Sequence, residues 1–216
     1  MNAVRIKNRL VGEGYPTYII AEMSANHAGS LERAKEIIRV AKDCGADCIK
    51  IQTYTPYTIT IDCDNEYFQI QEGTWKGENL YSLYGKAYTP WEWHKELKEA
   101  ANKIGIDFFS TPFDKTSVDF LESIDIPFYK IASFELVDIP LIRYVASKGK
   151  PIIMSTGMGT QEEIREAVEA AYLEHNDRVV IYMEKKELRL SSLEEAKKEL
   201  LLLKAAKNVK TPQWSL

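Results

Sequence analysis

The sequence has little that would mark a secreted, membrane-bound or redox-active protein. Its 216 residues include three cysteines, Cys44, Cys48 and Cys63, without a CxxC pair, and we interpret them as reduced thiols. No stretch reaches the roughly 18 apolar residues of a membrane-spanning helix. Residues 1–7 lack the apolar core of a signal peptide. We therefore expect a cytoplasmic protein with no membrane partner.

An excess of basic residues is also missing. The 28 lysines and arginines are outnumbered by 32 aspartates and glutamates, which gives a net charge of -4. Nucleic-acid-binding domains usually carry a basic face, so we expect no nucleic-acid partner. The remaining composition, 45% hydrophobic and 28% charged, is that of an ordinary globular protein with room for one large domain.

Strand-like and helix-like segments alternate six times along the chain. The strand-like segments are continuous apolar runs, as in sheets covered on both faces. They cover residues 17–22, 47–52, 106–111, 128–133, 151–156 and 178–183. This pattern predicts an α/β fold, with a (β/α)8 TIM barrel as the main candidate and a doubly wound sheet as the alternative. No GxGxxG motif follows the first strand, which argues against dinucleotide binding.

The pattern changes after residue 183. Residues 184–216 are highly charged, and Leu193–Lys204 is a strong helix former. No seventh or eighth strand is visible in the sequence, so the barrel is predicted to be truncated after about six βα units. We therefore divide the chain into an N-terminal barrel part, residues 1–183, and a charged helical tail, residues 184–216.

The longest connection lies between the second strand and the next helix. Residues 53–88 are rich in tyrosine and threonine. Segments of this length are usually functional loops, although an insertion that packs its aromatics over the flank is the alternative. Thr89 is predicted to cap the following helix, with Pro90 in its first turn and the helix end near Gly105.

Polar side chains gather where the predicted strands end. In parallel α/β folds ligands bind at this edge of the sheet. The polar groups there are Glu22, Asn26 and His27; Lys50 and Gln52; Ser110 and Thr111; Lys130, Ser133 and Glu135; and Ser155 and Thr156.

Lys50 and Lys130 lie within apolar strands, where a lysine is costly unless it meets an anion. They could pair with Glu22 and Glu135, or they could hold an anionic substrate. Hydroxyl groups at three successive strand ends favour the substrate, because phosphate and carboxylate oxygens need several donors. The residues thus predict an enzyme that binds a small phosphorylated or carboxylated molecule.

Five ordered motifs carry a resemblance to a known family. They are residues 21–30 (AEMSANHAGS), 50–53 (KIQT), 109–114 (FSTPFD), 129–135 (YKIASFE) and 155–158 (STGM). They resemble the sialic acid synthase (N-acetylneuraminate synthase) family, and the variants MSANH and QTYTP most resemble its pseudaminic acid synthase branch. The resemblance covers roughly residues 17–183.

The resemblance implies a (β/α)8 barrel and a specific reaction. Phosphoenolpyruvate condenses with the open-chain aldehyde of an N-acetylated amino sugar, which gives a nine-carbon acid and phosphate. A divalent metal, Mn²⁺ or Mg²⁺, polarises the aldehyde oxygen. The resemblance also suggests a homodimer.

Residue roles carried over by matching motif agree with the charge argument. Glu22 would be catalytic, as a proton-transfer group or an orienter of the attacking water. Asn26 and His27 would shape the loop. The substrate-binding residues would be Lys50, Thr111, Lys130, Ser133 and Ser155 for carboxylate and phosphate, Gln52 for the sugar, and also Glu135.

The sequence also departs from the family. The family's later Ser-Asp-His and Glu-Lys-His segments and its C-terminal antifreeze-like domain do not occur here, and residues 184–216 do not look family-like. The histidines are His27, His94 and His175, and we find no metal ligands among them. We therefore expect weak or no turnover by this chain.

Other functions remain open at this point. The chain could be a non-catalytic fragment that binds an anion or a partner subunit. An N-acetylneuraminate synthase, or an aldolase that uses Lys130 or Lys50 as a Schiff-base nucleophile, is a further alternative.

Overall fold

The computed structural model describes residues 3–12, 14–73 and 75–182, which form a β-hairpin followed by a parallel α/β unit. The hairpin pairs β1 (Val4–Ile6) with β2 (Arg9–Val11). The strands of the main sheet are β3 (Ile20–Glu22), β4 (Cys48–Thr53), β5 (Asp107–Pro112), β6 (Tyr129–Ile131), β7 (Ile152–Ser155) and β8 (Val179–Tyr182).

Helices cover the outside of this sheet. The α-helices are α1 (Leu31–Asp43), α2 (Pro56–Ile59), α3 (Leu80–Ala87), α4 (Trp93–Ile104), α5 (Lys115–Ser123), α6 (Ile139–Ala146) and α7 (Gln161–Leu173). Short 3-10 helices lie at Glu66–Phe68 and Phe134–Val137. Among the helices of these residues, none is long and apolar enough to cross a membrane.

The six strands pair in parallel in the order in which they occur along the chain, β3-β4-β5-β6-β7-β8. A doubly wound sheet would reverse its strand order at a switch point, so that alternative is excluded. The sheet forms a curled half-barrel, which confirms the predicted TIM-barrel type. The predicted tail and Met183 lie outside the described residues.

Each strand presents alternate residues to the two faces of the sheet. The outer face packs on the helices through Ile49, Ile51 and Phe108, in one cluster with Ile38 of α1 and Leu97 of α4. The inner face has its own apolar layer, formed by Ile6, Cys48, Phe109, Phe128 and Ile153. This layer lies toward the amino ends of the strands, so it forms a floor beneath the strand ends.

Most helix starts agree with the capping residues visible in the sequence. Ser30 accepts the Arg33 N–H at the start of α1, and Asp114 accepts the N–H groups of Thr116 and Ser117 at α5. Gly105 ends α4 in the left-handed conformation, with φ of 68°. Such local hydrogen bonds can be inferred from sequence because both partners lie within three residues.

The predicted cap at Thr89 is wrong. Helix α4 begins at Trp93, four residues later, with Glu92 as its N-cap. The side chain of Thr89 is buried and contacts the His27 ring nitrogen Nε2 at 3.3 Å instead. The Thr89 hydroxyl therefore makes a tertiary hydrogen bond and does not cap the helix as the local sequence pattern had predicted.

Residues 53–88 pack many of their own aromatic rings together. Tyr54 meets Tyr84 edge to face at 5.6 Å, and Tyr57 meets Tyr81 at 5.0 Å. The Trp91 indole N–H donates to the Tyr54 carbonyl at 3.1 Å, which ties the segment to the start of α4. These contacts support the packed-insertion interpretation, while a functional contribution stays a prediction.

The N-terminal hairpin closes the bottom of the half-barrel. Ile6 is fully buried in the inner apolar layer. Two acids at the amino ends of the strands hold the hairpin: Arg9 contacts Asp47, and Asp107 accepts from Lys7 Nζ at 2.7 Å and the Tyr18 hydroxyl at 2.6 Å. Asp107 thus joins the hairpin to the sheet.

We predict that Asp107→Ala lowers the free energy of unfolding by about 1–3 kcal/mol, because the half-buried Tyr18 hydroxyl loses its acceptor and Lys7 its ion-pair partner. Asp43→Ala is the matched control, since Asp43 forms an exposed ion pair with Arg39 and its loss should cost less than about 0.5 kcal/mol. Urea denaturation monitored by circular dichroism measures both. Equal losses of stability in the two variants would contradict the role of Asp107 in joining the hairpin to the sheet.

Candidate functional site

The inner face of the sheet becomes polar one layer above its apolar floor. Glu22 lies beyond Ile20 on β3, Lys50 beyond Cys48 on β4, and Thr111 beyond Phe109 on β5. Strand alternation puts Lys130 of β6 and Ser155 of β7 on the same face. Five strands therefore direct the predicted substrate residues toward one region, at the carboxyl ends.

Lys50 and Glu22 form an ion pair across β3 and β4, where they are register partners. The Lys50 side chain is 14% exposed and the Glu22 side chain 38%. Lys50 Nζ also lies 3.5 Å from the Thr111 hydroxyl oxygen. The pairing that the sequence offered as one alternative for Lys50 is therefore present.

The pKa of the Lys50 amine lies near neutral pH. Burial, and then the charge of Lys130, lower the pKa of Lys50 to about 7. The contact with the Glu22 carboxylate acts in the opposite direction and favours the ammonium form. A further anion beside Lys50 would complete the protonation of this amine.

Lys130 is held by hydroxyl and carbonyl oxygens. Its Nζ donates to Ser155 Oγ at 2.5 Å and to the Ile131 carbonyl at 2.8 Å. Because the positive charge of Lys130 lowers the pKa of Lys50, the two amines act on each other electrostatically. An anion between them would relieve this repulsion and accept hydrogen bonds from both.

Glu135 lies just past β6, in the 3-10 helix that begins at Phe134. Its Oε2 atom is buried and has no hydrogen-bond partner among the described residues. Burial raises the pKa of Glu135, and the charge of Lys130 opposes that rise. A buried, unpartnered carboxyl oxygen is costly, so this atom is suited to receive a donor from a ligand.

The loops after β6 and β7 pack on each other without a gap. A Cβ atom added to Gly157 would lie 2.3 Å from Ser133 Cβ, and one added to Gly159 would lie 2.4 Å from Leu136 Cδ2. Gly157 also has a φ of +47°, which favours glycine. Gly157 therefore allows the close approach of Ser133, and Gly159 that of Leu136, to the β7 loop.

Asn26 and His27 belong to the loop that follows Glu22. The Asn26 amide donates to the Met23 carbonyl at 2.8 Å. The His27 Nδ1 atom accepts the Gly29 N–H at 3.1 Å, and the ring meets Trp93 edge to face. Burial lowers the pKa of His27, so the ring is neutral and its Nε2–H donates to Thr89. These contacts hold the two residues within the loop, and their role in shaping the site stays a prediction.

Gln52 is half-buried on the inner face, beyond Lys50, and its register partner is Thr111. Sequence reasoning grouped Ser110 with the polar residues of the binding edge, but alternation along β5 buries it on the opposite face. There it lies with Thr53 and His94, two buried polar residues that sequence reasoning missed. One signal could have found them: two hydroxyl residues at outward positions of apolar strands need a buried polar partner.

The described residues do not fit a divalent metal. No group of three or more histidine, cysteine, aspartate or glutamate side chains comes together among them in a way that could hold one. Glu22 is paired with Lys50, and both ring nitrogens of His27 are engaged. The inner face offers ammonium and hydroxyl groups, which suit an anion and repel a cation.

Comparisons with known proteins identify the family of the chain. The family model described as "NeuB family" matches residues 37–208. The matched range runs past residue 183, and the division of the chain there stays a prediction. Pseudaminic acid synthase from Helicobacter pylori is 48% identical over 153 residues, which are 71% of this chain and 45% of the relative.

A second relative has a similar identity. Pseudaminic acid synthase from Campylobacter jejuni serotype O:2 is 50% identical over 163 residues, covering 76% of this chain and 48% of its own length. The chain thus spans less than half the length of these curated relatives.

A solved structure shares both sequence and fold. The N-acetylneuraminic acid synthetase of Leptospira borgpetersenii, solved in complex with citrate, has a TM-score of 0.73 and 28% identity, and the match covers 94% of this chain and 66% of that one. The family match and this shared fold establish that the chain belongs to the NeuB family.

Proposed function

We propose that the chain contributes the phosphoenolpyruvate-binding part of a pseudaminic acid synthase-like enzyme. The reaction would condense phosphoenolpyruvate with an N-acetylated amino sugar aldehyde to a nine-carbon sialic-type acid and phosphate. Support comes from the pseudaminic acid synthases that share about half of the aligned residues. The substrates and products of the reaction are those that the family resemblance implies.

The observation that carries the proposal is the pair of lysines on the inner face. Lys50 and Lys130 lie in a half-buried setting beside the hydroxyls of Thr111 and Ser155. A molecule with both a phosphate and a carboxylate offers enough acceptor oxygens for all four donors. The relative solved with citrate, a carboxylate anion, is consistent with such a ligand.

In this proposal each group on the inner face has a role. Lys50, Thr111, Lys130, Ser133 and Ser155 bind the phosphate and carboxylate. Gln52 and the unpartnered Oε2 of Glu135 face the sugar, whose hydroxyl and amide groups can donate hydrogen bonds. Glu22 moves a proton or orients the attacking water once the substrate anion competes for Lys50.

A divalent metal belongs to the proposal only through the family resemblance, where it polarises the aldehyde oxygen. Since the described residues do not fit Mn²⁺ or Mg²⁺, no step here is assigned to it. The homodimer and the cytoplasmic location likewise stay predictions.

One alternative gains from the structure. An amine whose pKa is lowered to about 7 by burial is a good nucleophile, so Lys50 could form a Schiff base with a keto acid. The ion pair with Glu22 and the nearby Thr111 hydroxyl favour anion binding instead. Reduction with borohydride in the presence of pyruvate separates the two, because only an imine leaves a covalent adduct measurable by mass spectrometry.

We predict that the 216-residue chain binds phosphoenolpyruvate and that Lys130→Met weakens binding by about 10- to 100-fold, the range expected for a lost hydrogen bond to a charged group. Lys148→Met is the control, because Lys148 pairs with Asp119 on the outer surface. Isothermal titration calorimetry, repeated with a chelator, measures the affinities. Absence of binding by the folded chain would overturn the proposal.

The same samples test turnover. Phosphate release is followed with Mn²⁺ and either N-acetylmannosamine or the 2,4-diacetamido-trideoxy hexose of the pseudaminic route. We expect weak or no release, because the described residues lack a fitting metal site. Release that requires metal, sugar and Glu22 would contradict this expectation, and the preferred sugar would identify the branch.

The pKa of Lys50 predicts a pH dependence. A bound phosphate raises this pKa above its free value of about 7, so binding takes up a proton at higher pH. Affinity for phosphoenolpyruvate should therefore fall between pH 7.5 and 9, by up to about tenfold per pH unit. Lys50→Arg keeps its charge and should flatten the dependence. A flat profile in the unchanged chain would contradict the assignment.

The packing of Gly157 predicts a positional effect on Ser133. A methyl group at residue 157 must push Ser133 aside, so Gly157→Ala should weaken phosphoenolpyruvate binding by about tenfold, the loss of one good hydrogen bond. Gly105→Ala is the matched control: its φ is also positive but its Cβ would meet open space. Equal affinities of the two variants would show that Ser133 does not bind the ligand.

A further inference from the structure

A chain of polar groups is buried on the outer face of β4 and β5. Thr53, Ser110 and His94 each have no exposed surface. Thr53 Oγ1 lies 2.8 Å from His94 Nε2 and 2.6 Å from Ser110 Oγ. The strands thus meet α4 through hydrogen bonds at the level where the apolar outer cluster ends.

The Pro90 carbonyl, the last group of this hydrogen-bonded series, determines the donor and acceptor of every bond in it. The Pro90 carbonyl, 3.1 Å from His94 Nδ1, can only accept, so Nδ1 carries the proton. Burial lowers the pKa of His94 to about 4, so at neutral pH Nε2 is a bare acceptor. Thr53 therefore donates to His94, and Ser110 donates to Thr53.

Ser110 adds a cross-strand link. Its Oγ also lies 3.1 Å from the carbonyl of Ile51, so the single Ser110 proton is shared between an oxygen of β4's backbone and the Thr53 side chain. The chain of groups spans two strands and one helix. Since all of its members have partners, it is rigid in the way that fully satisfied buried networks are.

These residues alternate with predicted substrate groups. Gln52 precedes Thr53 and Thr111 follows Ser110, and the two are register partners on the inner face. Any shift of Thr53 relative to Ser110 changes the separation of Gln52 and Thr111. Each member of the outer network on the strands is one residue away from a substrate residue on the inner face. The network can therefore affect the distance between Gln52 and Thr111.

We propose that the Ser110–Thr53–His94 network is a positioning device that fixes the distance between Gln52 and Thr111. It does not touch substrate. This inference rests on the proposed function, in which Gln52 faces the sugar and Thr111 binds the anion. The network thereby sets how far the acceptor sugar lies from the phosphoenolpyruvate oxygens.

The test compares Thr53→Val, which removes the hydroxyl and keeps the shape, with Thr53→Ser, which keeps the hydroxyl. Tyr129→Phe is the matched control, because it removes another buried outer-face hydroxyl, which donates to Glu122. Ser110→Ala serves if Thr53→Val fails to fold. Each variant is measured by hydrogen exchange of peptides covering residues 50–55 and 109–113 and by phosphoenolpyruvate affinity.

We expect Thr53→Val to speed exchange at these two strand ends by about tenfold and to weaken phosphoenolpyruvate binding by a similar factor. Thr53→Ser should restore both values. Tyr129→Phe should change neither. Long-range ¹H–¹⁵N spectra of His94 should show the Nδ1–H tautomer at pH 7 in the unchanged chain.

The proposal is overturned if Thr53→Val exchanges like the unchanged chain at both strand ends, or if exchange rises uniformly over the whole molecule. Unaltered affinity in Thr53→Val, where the unchanged chain binds, also overturns it. If the unchanged chain binds no phosphoenolpyruvate, the proposed function fails, while the exchange and histidine spectra still decide whether the network positions the strands.

Discussion

Two lysines close together on the inner face of a half-barrel are the constraint on which the site depends. Burial lowers the pKa of Lys50, and the positive charge of Lys130 lowers it further. The protein meets part of the cost with Glu22, Thr111 and Ser155. A bound anion would offset this cost further, which supports the proposed anion site on the inner face.

The remaining architecture keeps these groups in place. Below them, the apolar layer and the clamped hairpin close the floor of the half-barrel. Beside them, Gly157 and Gly159 allow the β6 and β7 loops to pack in contact. Behind them, the outer network ties β4 and β5 to α4. Together these supports act on strands β4 to β7, so the site depends on several strands rather than on one loop.

Much of this arrangement could be predicted from sequence because it is written in local patterns. Apolar runs that end in polar residues identified the six strands, and strand alternation suffices to put Lys50, Gln52 and Thr111 on one face. Caps such as Ser30 and Asp114 needed only their neighbours. The five motifs also pointed to the family that the comparisons establish.

What the sequence could not predict depends on residues that are distant along the chain. The local sequence predicts Thr89 as a helix cap, but its hydroxyl is hydrogen-bonded to His27, 62 residues away. The bond between Thr53 and His94 needs the packing of α4 on β4, and the close fit of Gly157 on Ser133 needs two loops in contact. The contact between Lys50 and Glu22 needs the pairing of β3 with β4, which the sequence does not give.

A crystal structure of the chain grown with phosphoenolpyruvate would show directly whether the inner face binds this anion. We predict ligand density between Lys50 Nζ and Lys130 Nζ, with phosphate or carboxylate oxygens within hydrogen-bond distance of Thr111 and Ser155. Ligand density elsewhere on the molecule, with the Lys50–Glu22 and Lys130–Ser155 contacts unchanged, would contradict it.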